Sequence, residues 1–197
     1  KNLYGNSRFA RGLLLARRLI QNDVRYVEVQ LGGWDGQHGN AGTAANRTNA
    51  MDAPIAALLQ DLSSQGMLDE TMVVLTTEFG RTPRINGRGG RDHFPKAFSI
   101  MMAGGGVKSG ITYGYTDDYA YNIADSDGVP LMPQPGKDQW QPGTMQIHAL
   151  NATILHIVGP CPSWTLLNQR KQLLPFLHCP SVILLDGHGL VEELHIY

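Results

Sequence analysis

Cysteine is scarce, charge of one sign does not dominate, and no apolar run is long. The 197 residues contain two cysteines, Cys161 and Cys179, so no disulfide framework is written into the sequence. Both lie near prolines late in the chain; free thiols are expected, although spacing leaves a disulfide between them open. A formal net charge of -1 gives no long-range field toward nucleic acid or acidic membranes. No nucleic-acid partner is therefore expected. No run approaches the roughly 20 apolar residues of a spanning helix, so membrane insertion is not expected either. The chain opens on Lys1 rather than Met, from which the loss of upstream residues, with any export signal, is expected.

What remains is 42% apolar and 17% charged, enough for one α/β domain with a substantial core. From Ser7 to Gln21 the residues Phe9, Leu13, Ala16 and Ile20 recur at helical spacing, predicting an amphipathic helix. Val24 to Leu31 alternates apolar and polar residues as a strand does and stops at Gly32-Gly33. Asp52-Ala53-Pro54 predicts a helix start, with Ile55, Leu58, Leu59 and Leu62 on one face and Gly66 at the end; any helix upstream should bend at Pro54. Met72 to Leu75, opening a strand that runs to Thr77, and Ala97 to Ala103 are apolar runs of the kind found in parallel strands covered on both faces. Residues 113–143 lack periodicity and predict a long surface excursion, with Tyr115 to Asn122 facing the site. Thr144 to Val158 is predicted helical. The order predicts an α/β fold, a mostly parallel sheet flanked by helices over residues 1–159, and a divergent tail at 160–197 without a clean period.

In a parallel sheet, ligands sit outside the carboxyl ends of the strands. Asp35 and His38 follow the first predicted strand, Glu78 ends the next, and Asp92 and His93 follow in the loop GRTPRINGRGGRDHF. Two acid and histidine pairs at separate strand ends suggest one shared cation. Mixed oxygen and nitrogen donors suit zinc, manganese or iron; carboxylates alone suit magnesium or calcium. The plainer alternatives are a turn cap for Asp35, surface exposure for His38, and an ion pair from Asp92 to Arg91 or Arg88 with His93 packed on Phe94. Arg81, Arg84 and Arg91 are the candidates for an anionic substrate, because the guanidinium fork matches phosphate or sulfate oxygens. Arg81 is equally a partner for Glu78. His148, near the start of the late helix, is a further candidate ligand, whereas His156 reads as a packed residue. AGGGVKSG is not a phosphate loop, since Val107 separates Gly106 from Lys108.

The stretches GGWD, TEFGRTP, GRDH, AGGGVKSG and YGYTDD resemble the bacterial family catalogued as domain of unknown function 1501, often labelled sulfatase-like, from about Tyr4 to Gly159. The resemblance implies the alkaline phosphatase superfamily, with a doubly wound sheet, two divalent metal ions and hydrolysis or transfer of small phosphate or sulfate esters. It also implies a periplasmic or exported protein. Carried over by position, it makes Asp35 and His38 one metal's ligands, although Gly36-Gln37 departs from the WDTH arrangement common in the family. Glu78-Phe79-Gly80 stands where the superfamily has Asp-His-Gly, so Asp92-His93 is expected to take over that duty. The resemblance places the nucleophile and the first metal aspartate in an N-terminal half outside these residues, leaving the chain alone catalytically incomplete. LLDGHGLVEEL is a partial echo of the family's ending, and a reading-frame disturbance between Pro160 and Leu184 would explain the departure. The expected function is a metal-dependent hydrolase of sulfate or phosphate esters; the rival is a non-catalytic binding or scaffold protein keeping the fold, and a truncated product without its own function is a third reading.

Overall fold

The computed structural model describes residues 3–36, 41–131, 150, 181–186 and 194–196. Helix α1 (Arg8–Ile20) starts where Ser7 accepts a hydrogen bond from the Ala10 amide at 3.0 Å. Its residues Phe9, Leu13, Ala16 and Ile20 are buried, the face that their spacing dictates. Strand β1 (Tyr26–Gln30) alternates as expected, with Val27 and Val29 inward.

Helix α2 (Ala41–Ser64) corrects the predicted start at Asp52, because Pro54 lies inside it. Pro54 has no N–H for the carbonyl four residues earlier, and its local signature is the same in a first turn as at an interior bend. Downstream the expected face holds: Ile55, Leu58 and Leu62 are buried. Gly66, at φ +69, closes the helix in a Schellman motif, with its amide bonded to Ser63 O at 3.0 Å and that of Met67 to Leu62 O at 2.8 Å. A single 3₁₀ turn, Leu68–Glu70, leads into β2 (Thr71–Thr76).

Short strands β3 (Gly80–Arg81) and β4 (His93–Phe94) form a hairpin. Strand β5 (Met101–Gly104) follows, then the paired β6 (Tyr115–Thr116) and β7 (Ile123–Ala124), and finally β8 (Ser181–Asp186) and β9 (Leu194–Ile196). The main sheet has the order β5-β2-β8-β1-β9. Its three central strands are parallel, while β5 and β9 run antiparallel at the edges. The α/β class thus holds, but the sheet is mixed rather than mostly parallel. The run from Ala97 contributes only an antiparallel edge strand of four residues, with Met101 45% exposed. The tail, in contrast, supplies the central strand: SVILLD inserts between β1 and β2.

Helices α1 and α2 pack on each other and, with Val27, Val29, Leu31 and Val73, enclose one apolar core. Met72 and Val74, on the other face of β2, are also buried, so this strand is covered on both sides. A polar clasp ties the helices: the Tyr4 hydroxyl donates to Asp61 Oδ2 at 2.8 Å and Arg17 Nε donates to the same oxygen at 3.0 Å. The predicted helix at Thr144 to Val158 lies outside the described residues except for Leu150, which is helical and buried.

Candidate functional site

The register aligns the carboxyl ends of the three parallel strands, pairing Gln30 with Asp186 and Asp186 with Thr76. The chain leaving β1 carries Trp34 and Asp35; the chain leaving β2 runs through Thr77 and Phe79 into the β3–β4 hairpin. In that hairpin Arg81 is the direct cross-strand partner of His93, which places both side chains on one face. Asp35 meets them there. Its Oδ1 accepts from Arg81 Nη1 at 3.0 Å and lies 3.3 Å from His93 Nε2. The Arg81 hydrogen bond, supported by His93, holds the Asp35 carboxyl below the usual carboxylate range. The cluster is open to solvent, with the Asp35 side chain 53% exposed, so the ion pair itself adds little to stability.

Phe79 fixes the imidazole from the side, its ring centroid 4.4 Å from that of His93, and the Arg81 guanidinium lies 5.7 Å from the Phe79 ring centre. Gly80 permits the close return of the chain: a Cβ there would stand 2.2 Å from the Ala97 carbonyl oxygen. The loop between β3 and β4 is organised by its own polar groups. Asn86 Oδ1 accepts from the Arg88 and Gly90 amides at 2.9 and 3.0 Å. Its Nδ2 donates to Asp92 Oδ1 at 2.8 Å. The Arg91 guanidinium donates to Thr82 O at 2.7 Å and also to Pro83 O, while the Arg91 amide reaches Gly36 O at 3.2 Å and ties this loop to the one bearing Asp35.

The structure therefore brings together Asp35, His93 and Arg81. Asp92 does not join them; neighbours along a strand point to opposite faces, and its carboxylate is taken by Asn86. Arg91 serves the backbone of its own loop, Arg84 is exposed, and Glu78 is half-buried at the exit of β2. His38 and His148 lie outside the described residues. Among the described residues no group of three or more His, Cys, Asp or Glu gathers as a metal site. The donors fit a divalent cation in kind, one oxygen and one nitrogen, but not in number, and Arg81 already holds the carboxylate oxygen they share.

Two features escaped the sequence reading. Phe79 is one; the other is a cavity of about 330 Å³ at the carboxyl ends of β1 and β2, walled by Phe9, Leu31, Trp34, Met51, Leu75 and Met101 among others. Trp34 lines it, but its indole N–H is closed to solvent and has no hydrogen-bond partner among the described residues, an arrangement that costs roughly 1–3 kcal/mol. A tryptophan beside the aspartate of a strand-end GGWD was the available signal. Of the excursion expected over 113–143, Tyr121 packs edge-on against Phe94, the strand neighbour of His93, ring centroids 5.7 Å apart, while residues 132–143 lie outside the described residues.

No curated protein and no solved structure matches the chain. A family model described as protein of unknown function, DUF1501, matches residues 1–163. With that match covering most of its 197 residues, the chain belongs to the DUF1501 family.

Proposed function

We propose that the protein acts on small sulfate or phosphate esters as a metal-dependent hydrolase of the sulfatase-like, alkaline phosphatase type, exported to the periplasm. The observation that supports this is the meeting of Asp35, His93 and Arg81, drawn from separate strand ends to one point. Asp35 and His93 are two of the donors offered to a divalent cation (zinc, manganese, calcium or magnesium), too few by themselves, with His38 and His148, outside the described residues, as the remaining candidate ligands. Such a cation, when bound, supplies Lewis-acid polarisation of the ester oxygen. Arg81 would bind the equatorial oxygens of the sulfate or phosphate group, and the Phe79 ring keeps both Arg81 and His93 oriented toward it.

A second reading is favoured by one contact. Arg81 is already neutralised by Asp35, as suits a binding or scaffold protein that keeps the fold without the chemistry. These residues alone are expected to be inactive, so assay of the full-length protein, with the N-terminal half that would carry the nucleophile, on 4-nitrophenyl sulfate and 4-nitrophenyl phosphate with added Mn, Zn, Mg or Ca separates the two. Hydrolysis with at least one metal, lost in His93→Ala and Arg81→Ala, is expected of the hydrolase. Inactivity with all four metals in a folded protein would establish the scaffold instead.

A further inference from the structure

We infer that the Asn86-Gly87 pair, in the loop between β3 and β4, is a site of self-modification: the side-chain amide of Asn86 cyclises onto the Gly87 nitrogen and is lost as ammonia, which unlocks the loop beside Asp35, Arg81 and His93. Its effect is on the geometry of that cluster, whichever function the cluster serves. Asn86-Gly87 is the one Asn-Gly sequence in the chain. Glycine has no Cβ to shield its nitrogen or to restrict the backbone that must bring it to the side chain. Gly87 is exposed, a Cβ there would meet nothing within 4 Å, and its amide forms no hydrogen bond among the described residues.

The side chain of Asn86 is held in a setting that favours this reaction. Attack on Cγ moves negative charge onto Oδ1, and Oδ1 already accepts from the Arg88 and Gly90 amides at 2.9 and 3.0 Å, two donors aimed where the charge develops. Nδ2 lies 2.8 Å from Asp92 Oδ1. Once Cγ is tetrahedral that nitrogen is basic, and the ammonium formed on it faces the Asp92 carboxylate. In the balanced step the Gly87 nitrogen gives its proton to a solvent base and bonds to Cγ; Nδ2 takes a proton from water, and the Cγ–Nδ2 bond breaks to release ammonia. Water then opens the succinimide at either carbonyl, leaving aspartate or isoaspartate at position 86. Either product sets a carboxylate where Nδ2 donated to Asp92, so an attraction becomes a like-charge repulsion. Isoaspartate also lengthens the main chain, which displaces the Asn86 amide from Gly90 O and the Gly89 amide from Asn86 O, bonds of 2.8 and 3.1 Å. Asp92 is the chain neighbour of His93, and the Arg91 amide bond to Gly36 O ties this loop to the one bearing Asp35.

Incubation of the full chain at mildly alkaline pH, followed by peptide mapping in a mass spectrometer and enzymatic detection of isoaspartate, tests this. Asn86 should lose ammonia before any other asparagine. It should do so no more slowly in the folded chain than in the same chain unfolded in urea, where the two amides no longer surround Oδ1. Gly87→Ala should slow the loss and leave the NMR signals of His93 in place. Asn86→Asp, the counterpart of one product, should raise amide hydrogen exchange across residues 82–92 at least about fivefold, the loss of one neutral hydrogen bond, and should move the His93 signals. Adding Asp92→Asn returns a donor opposite the new carboxylate and should reverse both effects. Asn86 retained while other asparagines react, or reacting more slowly folded than unfolded, would overturn the inference. So would an Asn86→Asp chain with unchanged exchange and unmoved His93 signals.

Discussion

Tyr4→Phe removes one hydroxyl from the clasp that joins α1 to α2, the two helices that contribute Phe9, Thr48 and Met51 to the cavity. Tyr4 is 4% exposed and its bond to Asp61 is 2.8 Å long. A hydrogen bond to a charged group contributes about 1.5–3 kcal/mol. Asp61 retains Arg17 Nε and the Gln65 amide at 2.5 Å, so the lower end applies. With a urea slope of roughly 2 kcal/mol/M, a loss of about 1.5 kcal/mol moves the midpoint down by about 0.7 M. It lowers Tm by about 3–6 °C. Burial, and then the Asp61 carboxylate, push the Tyr4 hydroxyl upward in pKa, so its contribution is complete below the ordinary value of 10.0 and is lost as pH rises beyond it. Burial alone would raise Asp61, but bonds from Tyr4 and Gln65 and the charge of Arg17 outweigh it and hold the carboxyl below 3.8; its contribution is present above that value and is lost as pH falls. Urea titrations of wild type and Tyr4→Phe from pH 3 to 11 should therefore differ most in the middle of the range and draw closer toward both ends. A difference below about 0.5 kcal/mol at pH 7 would refute the reasoning, since the clasp would then add no more than a solvent-exposed pair.

Three further outcomes follow from particular contacts. Asp35→Ala should change unfolding free energy by less than about 1 kcal/mol in urea, because the pair is half-exposed; a larger loss would mean that Asp35 holds the fold rather than a site. Gly80→Ala should cost about 2 kcal/mol or more, read by thermal melting, because a Cβ meets the Ala97 carbonyl oxygen at 2.2 Å. Arg91→Ala should raise amide hydrogen exchange across residues 82–92 by releasing the Thr82 and Pro83 carbonyls, whereas Arg84→Ala should leave it unchanged.

Legibility followed the physics of each segment. Helix α1 was readable because Phe9, Leu13, Ala16 and Ile20 form one stripe, and β1 because its alternation marks a half-buried strand. Pro54 misled because Asp-Ala-Pro reads alike at a helix start and at an interior bend, and only packing tells the two apart. SVILLD could not be placed because a short apolar run lacking a period fits a covered strand and a buried helix equally well; its partners, β1 and β2, lie more than 100 residues earlier. The meeting of Asp35 with His93 was foreseeable from the rule that ligands gather at the carboxyl ends of parallel strands. The exclusion of Asp92 was not, because it depends on how the β3–β4 loop folds, which turns the Asn86 amide, six residues earlier, onto its carboxylate. Trp34 was passed over because an unsatisfied indole is visible only once its surroundings are known.

Calorimetric titration of Mn²⁺ into the folded chain and into its His93→Ala and Asp35→Ala variants tests the joint site most directly. The account predicts one binding event in the parent, weakened at least about tenfold in each variant. Equal heats in all three, or none in the parent, would contradict it.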